Sequence, residues 1–152
     1  MVTDKHAEPG SATATPPPFS WPTRVYWEDT DAGGVVYHAR YVAFMERART
    51  EWLRAFGYGQ ASLRESHDLV LAIRSMTLDF RGPARLDDLL EVTVALQDCR
   101  RASMGFVQTI TRDGQLLVGA TVRAAALKAS DFRPRGMPDM LYDHLKSLVV
   151  VD

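Results

Sequence analysis

The chain has 152 residues, 46% hydrophobic and 24% charged, the balance of one globular domain built on a single core. Its formal net charge of −1 lacks the basic excess that holds nucleic acid or anionic membrane, so any cationic site must be local. Cys99 is the sole cysteine, which rules out an intramolecular disulfide and points to a reducing, cytoplasmic setting.

Met1–Ser20 is rich in Pro, Ala, Thr and Ser, contains Pro16-Pro17-Pro18 and lacks the apolar stretch of a signal peptide. It reads as a disordered tail ahead of one domain over residues 21–150. No run approaches the ~18 consecutive apolar residues of a membrane span. Val25, Tyr26 and Trp27 predict a first strand over Thr23–Trp27 that leads directly into an acidic segment, Glu28–His38. From Ala39 to Phe56, the residues Tyr41, Phe44, Met45, Ala48, Trp52, Ala55 and Phe56 recur at helical spacing, and Gly57 stands where a C-terminal cap belongs. The opposite face holds Arg40, Glu46, Arg47, Arg49, Glu51 and Arg54, turned to solvent or a partner, with Arg47 and Glu51 spaced to pair.

Gln60–Ser66 predicts a short second helix, after which the period becomes two. Leu69, Leu71 and Ile73 occupy odd positions and Met76, Leu78 and Phe80 even ones, so a bulge is expected near Arg74 and Ser75. Leu90, Val92, Val94 and Leu96 form the next strand, ended by Asp98-Cys99-Arg100-Arg101. Met104–Thr111 and Leu116–Lys128 flank Asp113-Gly114, a hairpin signal. Pro138–Leu148 reads as a last short helix. One long helix followed by several strands without β-α-β alternation predicts an α+β domain with the helix on an antiparallel sheet. Such a sheet has two open edges, and pairing with a second copy would cover one, so a homo-oligomer is expected.

Glu28–His38 concentrates three carboxylates, the Gly33-Gly34 pair and a histidine immediately before the long helix. A calcium loop from Asp29 fails at its fifth and twelfth positions, Gly33 and Arg40. A catalytic zinc lacks three spaced ligands, and His6, His67 and His144 supply none, so no metal is expected. No serine lies in a G-x-S-x-G elbow, and Cys99 has no patterned histidine partner. Two readings of the acids stand: a solvated turn with one Asp capping a helix, or a site in which glycines admit a ligand to the backbone. In the second, a Val35-Val36-Tyr37 lip excludes water and raises the basicity of a carboxylate, and the helix start supplies N–H donors.

Asp29 to His38, followed by Tyr41, Glu46, Arg47, Ala48 and Arg49, together with Pro83 to Asp88, resembles the signature of the hotdog-fold acyl-CoA thioesterases. It is most similar to the branch related to 4-hydroxybenzoyl-CoA thioesterase whose bacterial members are encoded with the Tol-Pal envelope system. The resemblance spans about Trp21 to Leu148. It implies a long central helix wrapped by a five-stranded antiparallel sheet, dimerised through the sheets and paired again into a tetramer. It implies hydrolysis of acyl-CoA, with Asp31 as nucleophile or general base and Asp29 without a catalytic role. The His38 backbone N–H would polarise the thioester carbonyl, and the His38 side chain would either take part directly or brace Asp31. Gly33, Gly34 and Val35 would border the substrate, and Tyr37 would line the acyl pocket. No cofactor is required.

Coenzyme A phosphates call for cations, for which Arg74, Arg81, Arg85, Arg100 and Arg101 are candidates; Arg100 and Arg101, at a strand-turn boundary, are preferred. Acyl carrier protein is a further candidate partner. The competing class is a non-catalytic acyl-CoA or acyl-carrier-protein binding subunit tied to phospholipid metabolism at the envelope, which the intact Asp31 disfavours.

Overall fold

The computed structural model of the chain describes residues 17–150. Five strands, β1 (Phe19–Arg24), β2 (Leu69–Phe80), β3 (Leu89–Arg100), β4 (Ser103–Arg112) and β5 (Gln115–Lys128), make one antiparallel sheet in the order β1-β3-β4-β5-β2. Three helices, α1 (Arg40–Ala55), α2 (Gln60–His67) and α3 (Asp139–Ser147), complete an α+β fold.

The start of the chain differs from expectation. Most of the expected Met1–Ser20 tail lies outside the described residues, but Phe19 and Ser20 already pair with Val94 and Thr93 in β1. The first strand is therefore Phe19–Arg24 and not Thr23–Trp27. Pro22 is tolerated because β1 is a sheet edge, where a missing N–H costs no ladder bond. Val25 is buried but has left the ladder, donating to Asp88 O at 2.9 Å and accepting from Asp87 N at 3.0 Å. Trp27–Asp29 then coils into a 3-10 turn.

The helical stripe packs as its spacing demands. Tyr41, Phe44, Met45, Ala48, Trp52 and Leu53 of α1 are buried against the sheet, with α1 lying across β1 and β3. The Trp52 and Phe106 rings meet edge to face at 5.4 Å. Each such large side chain, fully buried, contributes about 1.5–3 kcal/mol. Arg49 departs from the expected polar face and is buried with the core. Glu51 pairs with Arg54 and not with Arg47. Gly57 has φ +88°, the left-handed geometry of a helix stop.

The phase slip in β2 is a register shift between Ile73 and Ser75, so both halves keep their apolar residues on the helix side. Asp113 and Gly114 both have positive φ, 50° and 78°, as a two-residue hairpin turn requires. β3 does not end at Asp98. A second shift, between Leu96 and Asp98, carries the strand on to Arg100, and the turn is Arg101-Ala102. Beyond it, Arg123 Nη1 donates to both Asp98 oxygens, at 2.9 and 2.7 Å, across the bare backbone of Gly105. A Cβ there would run into both partners. Gly105→Ala should therefore displace the pair and lower the urea unfolding free energy by about 1 kcal/mol, the low end of overpacking costs because both side chains are partly exposed and can swing aside.

Candidate active site

The acidic segment is a tight hairpin laid against the sheet's end. Asp31 N donates to Val35 O at 2.9 Å, Gly34 N to Asp31 O at 3.0 Å and Tyr37 N to Asp29 O at 2.9 Å, while Thr30 bridges Val36. Gly34 makes the reversal at φ +77°. Val36 N donates to Ala84 O at 2.8 Å, which ties the hairpin to the 82–88 loop.

The two aspartates do different things. Asp29 is 3% exposed, and every oxygen is used: Oδ1 accepts from Arg40 Nε at 2.9 Å and Nη2 at 2.6 Å, and Oδ2 accepts from Tyr26 N at 2.8 Å. Asp31 is exposed. Its Oδ1 accepts from Gly33 N at 2.8 Å, and Oδ2 has no hydrogen-bond partner among the described residues. A Cβ on Gly33 would lie 3.0 Å from Oδ1, so glycine permits the close seating of the carboxylate.

After the hairpin the chain turns into α1. Arg40 N donates to Tyr37 O at 2.8 Å, no side chain caps the helix, and among the described residues neither the His38 nor the Ala39 N–H donates to another group. Those donors sit at the positive end of a 16-residue helix. The His38 ring is exposed and lies 4.6 Å from the Tyr37 ring, edge on. Val36, His38 and Tyr41 border an open cleft whose far wall is Phe80, Arg81 and Pro83. Tyr41 fixes that wall by accepting from Ala84 N at 3.0 Å.

Two expected groupings are not formed within one chain. The Val35-Val36-Tyr37 lip does not cover Asp31 within one chain. Alternation in this extended stretch sends Val36 into the core, leaves Val35 half-buried and turns Tyr37 outward, 46% exposed. Nor are Arg100 and Arg101 brought to Asp31 within one chain. They lie at the far end of the 12-residue β3, about 36 Å along the strand from the end that adjoins the hairpin. Arg101 is occupied there, bonded to Asp139 at 2.5 Å and stacked 4.2 Å over the Tyr142 ring. Of the other candidate cations, Arg81 lines the His38 cleft, exposed and paired with Asp79 at 2.6 Å. Arg74 and Arg85 are exposed.

The 82–88 loop that backs the hairpin is held by Asp88, which accepts from Arg112 Nη1 at 2.6 Å and Arg85 N at 2.8 Å. Burial pushes the Asp88 carboxyl up, but the Arg112 hydrogen bond, the Arg85 N–H and the charges of both arginines outweigh it and leave its pKa below the ordinary value. A depressed folded pKa stabilises above the unfolded value of about 4 and stops doing so as pH falls through the folded one. The urea midpoint gap between wild type and Asp88→Asn should thus be open at pH 7 and close at acid pH below 4. A gap independent of pH would contradict this.

Sequence reasoning missed the Asp29–Arg40 pair and the burial of Arg49 on Gln108, whose partners stand 11 and 59 residues apart. Among the described residues no cluster of three metal-ligating side chains occurs, and no helix is long and apolar enough to cross a membrane.

The thioesterase-like superfamily model matches residues 25–145. Acyl-CoA thioesterase YbgC of Haemophilus influenzae is 42% identical over 131 residues, 84% of this chain and 96% of the relative. Acyl-CoA thioester hydrolase YbgC of Escherichia coli O6:H1 is 43% identical over 129 residues with the same coverage. A solved probable thioesterase from Bartonella henselae superposes with a TM-score of 0.75 at 35% identity, covering 78% of this chain and 98% of that one. The match runs from Val25, where the chain leaves β1 for the acid-bearing hairpin, through the buried Leu145 of α3, so hairpin, helix and sheet fall inside it, and the chain belongs to the thioesterase-like superfamily.

Proposed function

We propose that the protein hydrolyses acyl-CoA thioesters to free acid and CoA, with Asp31 as the catalytic carboxylate. The observation that carries this reading is the contrast between neighbouring acids: Asp29 is buried and spent on Arg40, whereas Asp31 is exposed, oriented through one oxygen and, among the described residues, free at the other. The substrate class follows from relatives named as acyl-CoA thioesterases.

Asp31 Oδ2 either attacks the thioester carbon or takes a proton from the water that does. In both routes the carbonyl oxygen becomes an anion, the C–S bond breaks, and CoA leaves as a thiolate that needs little acid assistance. The N–H groups of His38 and Ala39, at the positive end of α1 and without an acceptor among the described residues, are the oxyanion donors, each worth about 3 kcal/mol of barrier. His38 acts through its backbone. Gly33, Gly34 and Val35 admit the thioester to the hairpin, and Tyr37 lines the acyl group.

The hotdog arrangement, with the sheet wrapped on α1, has a second copy closing the site. Among the described residues β2 is the long free edge, and it presents Ile73 and Phe80 to solvent, so the dimer pairs there and two dimers form a tetramer. Arg81 then serves the CoA phosphates from its own cleft, and Arg100 and Arg101 reach CoA only from another copy. The domain covers residues 21–150 with β1 beginning just before it, and the protein works in the cytoplasm, with acyl carrier protein and the Tol-Pal envelope system as its functional setting.

The test is thiol release from a panel of acyl-CoA esters by the purified full-length chain. Release with turnover supports the reading. Binding of acyl-CoA without release would replace it with the non-catalytic binding subunit.

A further inference from the structure

A second polar feature lies beneath α1, away from the acid hairpin. Arg49 is 7% exposed and Gln108 not at all. Gln108 Nε2 donates to Met45 O and Thr93 O, both at 3.2 Å, so its amide hydrogens are spent and its Oε1 is left to accept from Arg49 Nη1 at 2.8 Å. That bond uses one N–H of a guanidinium that has five. Among the described residues no carboxylate pairs with Arg49 within ion-pair distance. Burial lowers its pKa, opposed by the charge of Glu46. An unpaired cation at this depth is expensive unless something answers it.

The remaining N–H groups have somewhere to point. Arg49 lines a cavity of about 100 Å³ walled by Leu53, Leu71, Met104 and Phe106. Among the described residues no buried side-chain nitrogen or oxygen is sealed without a partner, so the free face of the guanidinium opens into this space. Glu46 stands at the rim, exposed and bonded to Thr50 Oγ1 at 3.2 Å, where water screens it. The result is a partly open slot of short-acyl size, walled by apolar side chains and by Glu46 and Gln60, with one pinned cation in it.

We infer that this cavity is an acyl subsite that selects short acyl groups ending in a carboxylate, with Arg49 as the specificity-determining residue and Gln108 as its positioning residue. A carboxylate accepts two parallel N–H bonds from a guanidinium and cancels its buried charge, which an alkyl end cannot do. The inference rests on the thioesterase reading and on its two-chain site. Ile73, at the cavity wall, and Phe80, at the His38 cleft, are seven residues apart on β2, about 23 Å, too far for one short acyl group in one chain. A copy paired antiparallel on β2 about its middle, near Met76 and Thr77, sets Ile73 of one chain beside Phe80 of the other. The thioester then lies in one copy's cleft and the acyl end in the other's cavity.

The probes are adipyl-CoA and hexanoyl-CoA, equal in length and different only at the far carbon. The wild-type protein should favour adipyl-CoA in kcat/KM by about 10- to 100-fold, the worth of hydrogen bonds to a charged group. Arg49→Met should abolish that preference, bringing the adipyl-CoA to hexanoyl-CoA ratio of kcat/KM within the variant to about one. Equilibrium binding of the two thioesters to Asp31→Asn gives the same ratio without catalysis, so it stands even if the hydrolase reading fails or Arg49→Met does not fold. Preference for hexanoyl-CoA in turnover or binding, or equal losses on both substrates in a folded Arg49→Met, would overturn the inference and leave Arg49 a core brace.

Discussion

Asp31→Asn is expected to lower kcat on acyl-CoA by about 10²- to 10⁴-fold, the range for a positioned acid-base group. The substitution keeps an oxygen to accept from Gly33 N and removes only the charge and basicity of the exposed carboxylate. The melting temperature should therefore stay within about 2 °C of wild type, as for an ordinary surface change. Activity loss without stability loss separates chemistry from scaffolding. Both routes open to Asp31 pass through the same oxygen, so the prediction does not depend on which is followed; a single turnover in isotopically labelled water distinguishes them, since only an acyl-Asp31 intermediate leaves the label in the side chain.

Arg40→Met is expected to do the reverse of this at first sight, acting on stability and only then on activity. Arg40 holds Asp29 through two hydrogen bonds, and Asp29 is 3% exposed. Removing the cation leaves a buried carboxylate with one backbone donor, Tyr26 N. Breaking such a pair costs about 3 kcal/mol, which for a chain of this size lowers the melting temperature by about 6–12 °C. Asp29 also anchors the hairpin through Tyr37 N, so loosening it frees Asp31 and His38 to drift apart, and kcat falls with the stability. The double replacement Asp29→Asn with Arg40→Met should recover part of the lost stability, because no charge is left unpaired. A melting temperature for Arg40→Met equal to wild type would show that the pair does not hold the hairpin.

Elements written in short-range periodicity were legible from sequence: the α1 stripe, the slip at Ile73–Ser75 and the Asp113-Gly114 turn each follow from spacing within a few residues. Position in the sheet was not. Val25-Tyr26-Trp27 has strand composition but lies where the edge strand departs for the hairpin, while Ser20 and Pro22, poor strand residues, pair with Thr93 and Glu91 because an edge tolerates them. Arg49 looked like surface because a guanidinium on a helix usually is; its burial depends on Gln108 arriving from β4. The acid-rich hairpin could be recognised as a site by its residues, but the division of labour between Asp29 and Asp31 rests on Arg40 folding back, which no local pattern encodes. Arg100 and Arg101 stand at the far end of β3 from the hairpin of their own chain, a separation that strand length sets and no local motif encodes.

The most direct test follows thiol release and thioester binding side by side, with the same acyl-CoA, on the wild-type protein and on Asp31→Asn. The predicted result is release by wild type and, from Asp31→Asn, retained binding with release reduced at least about 100-fold. Release by Asp31→Asn within tenfold of wild type would remove Asp31 from the chemistry, and binding without release by wild type would remove the hydrolase itself.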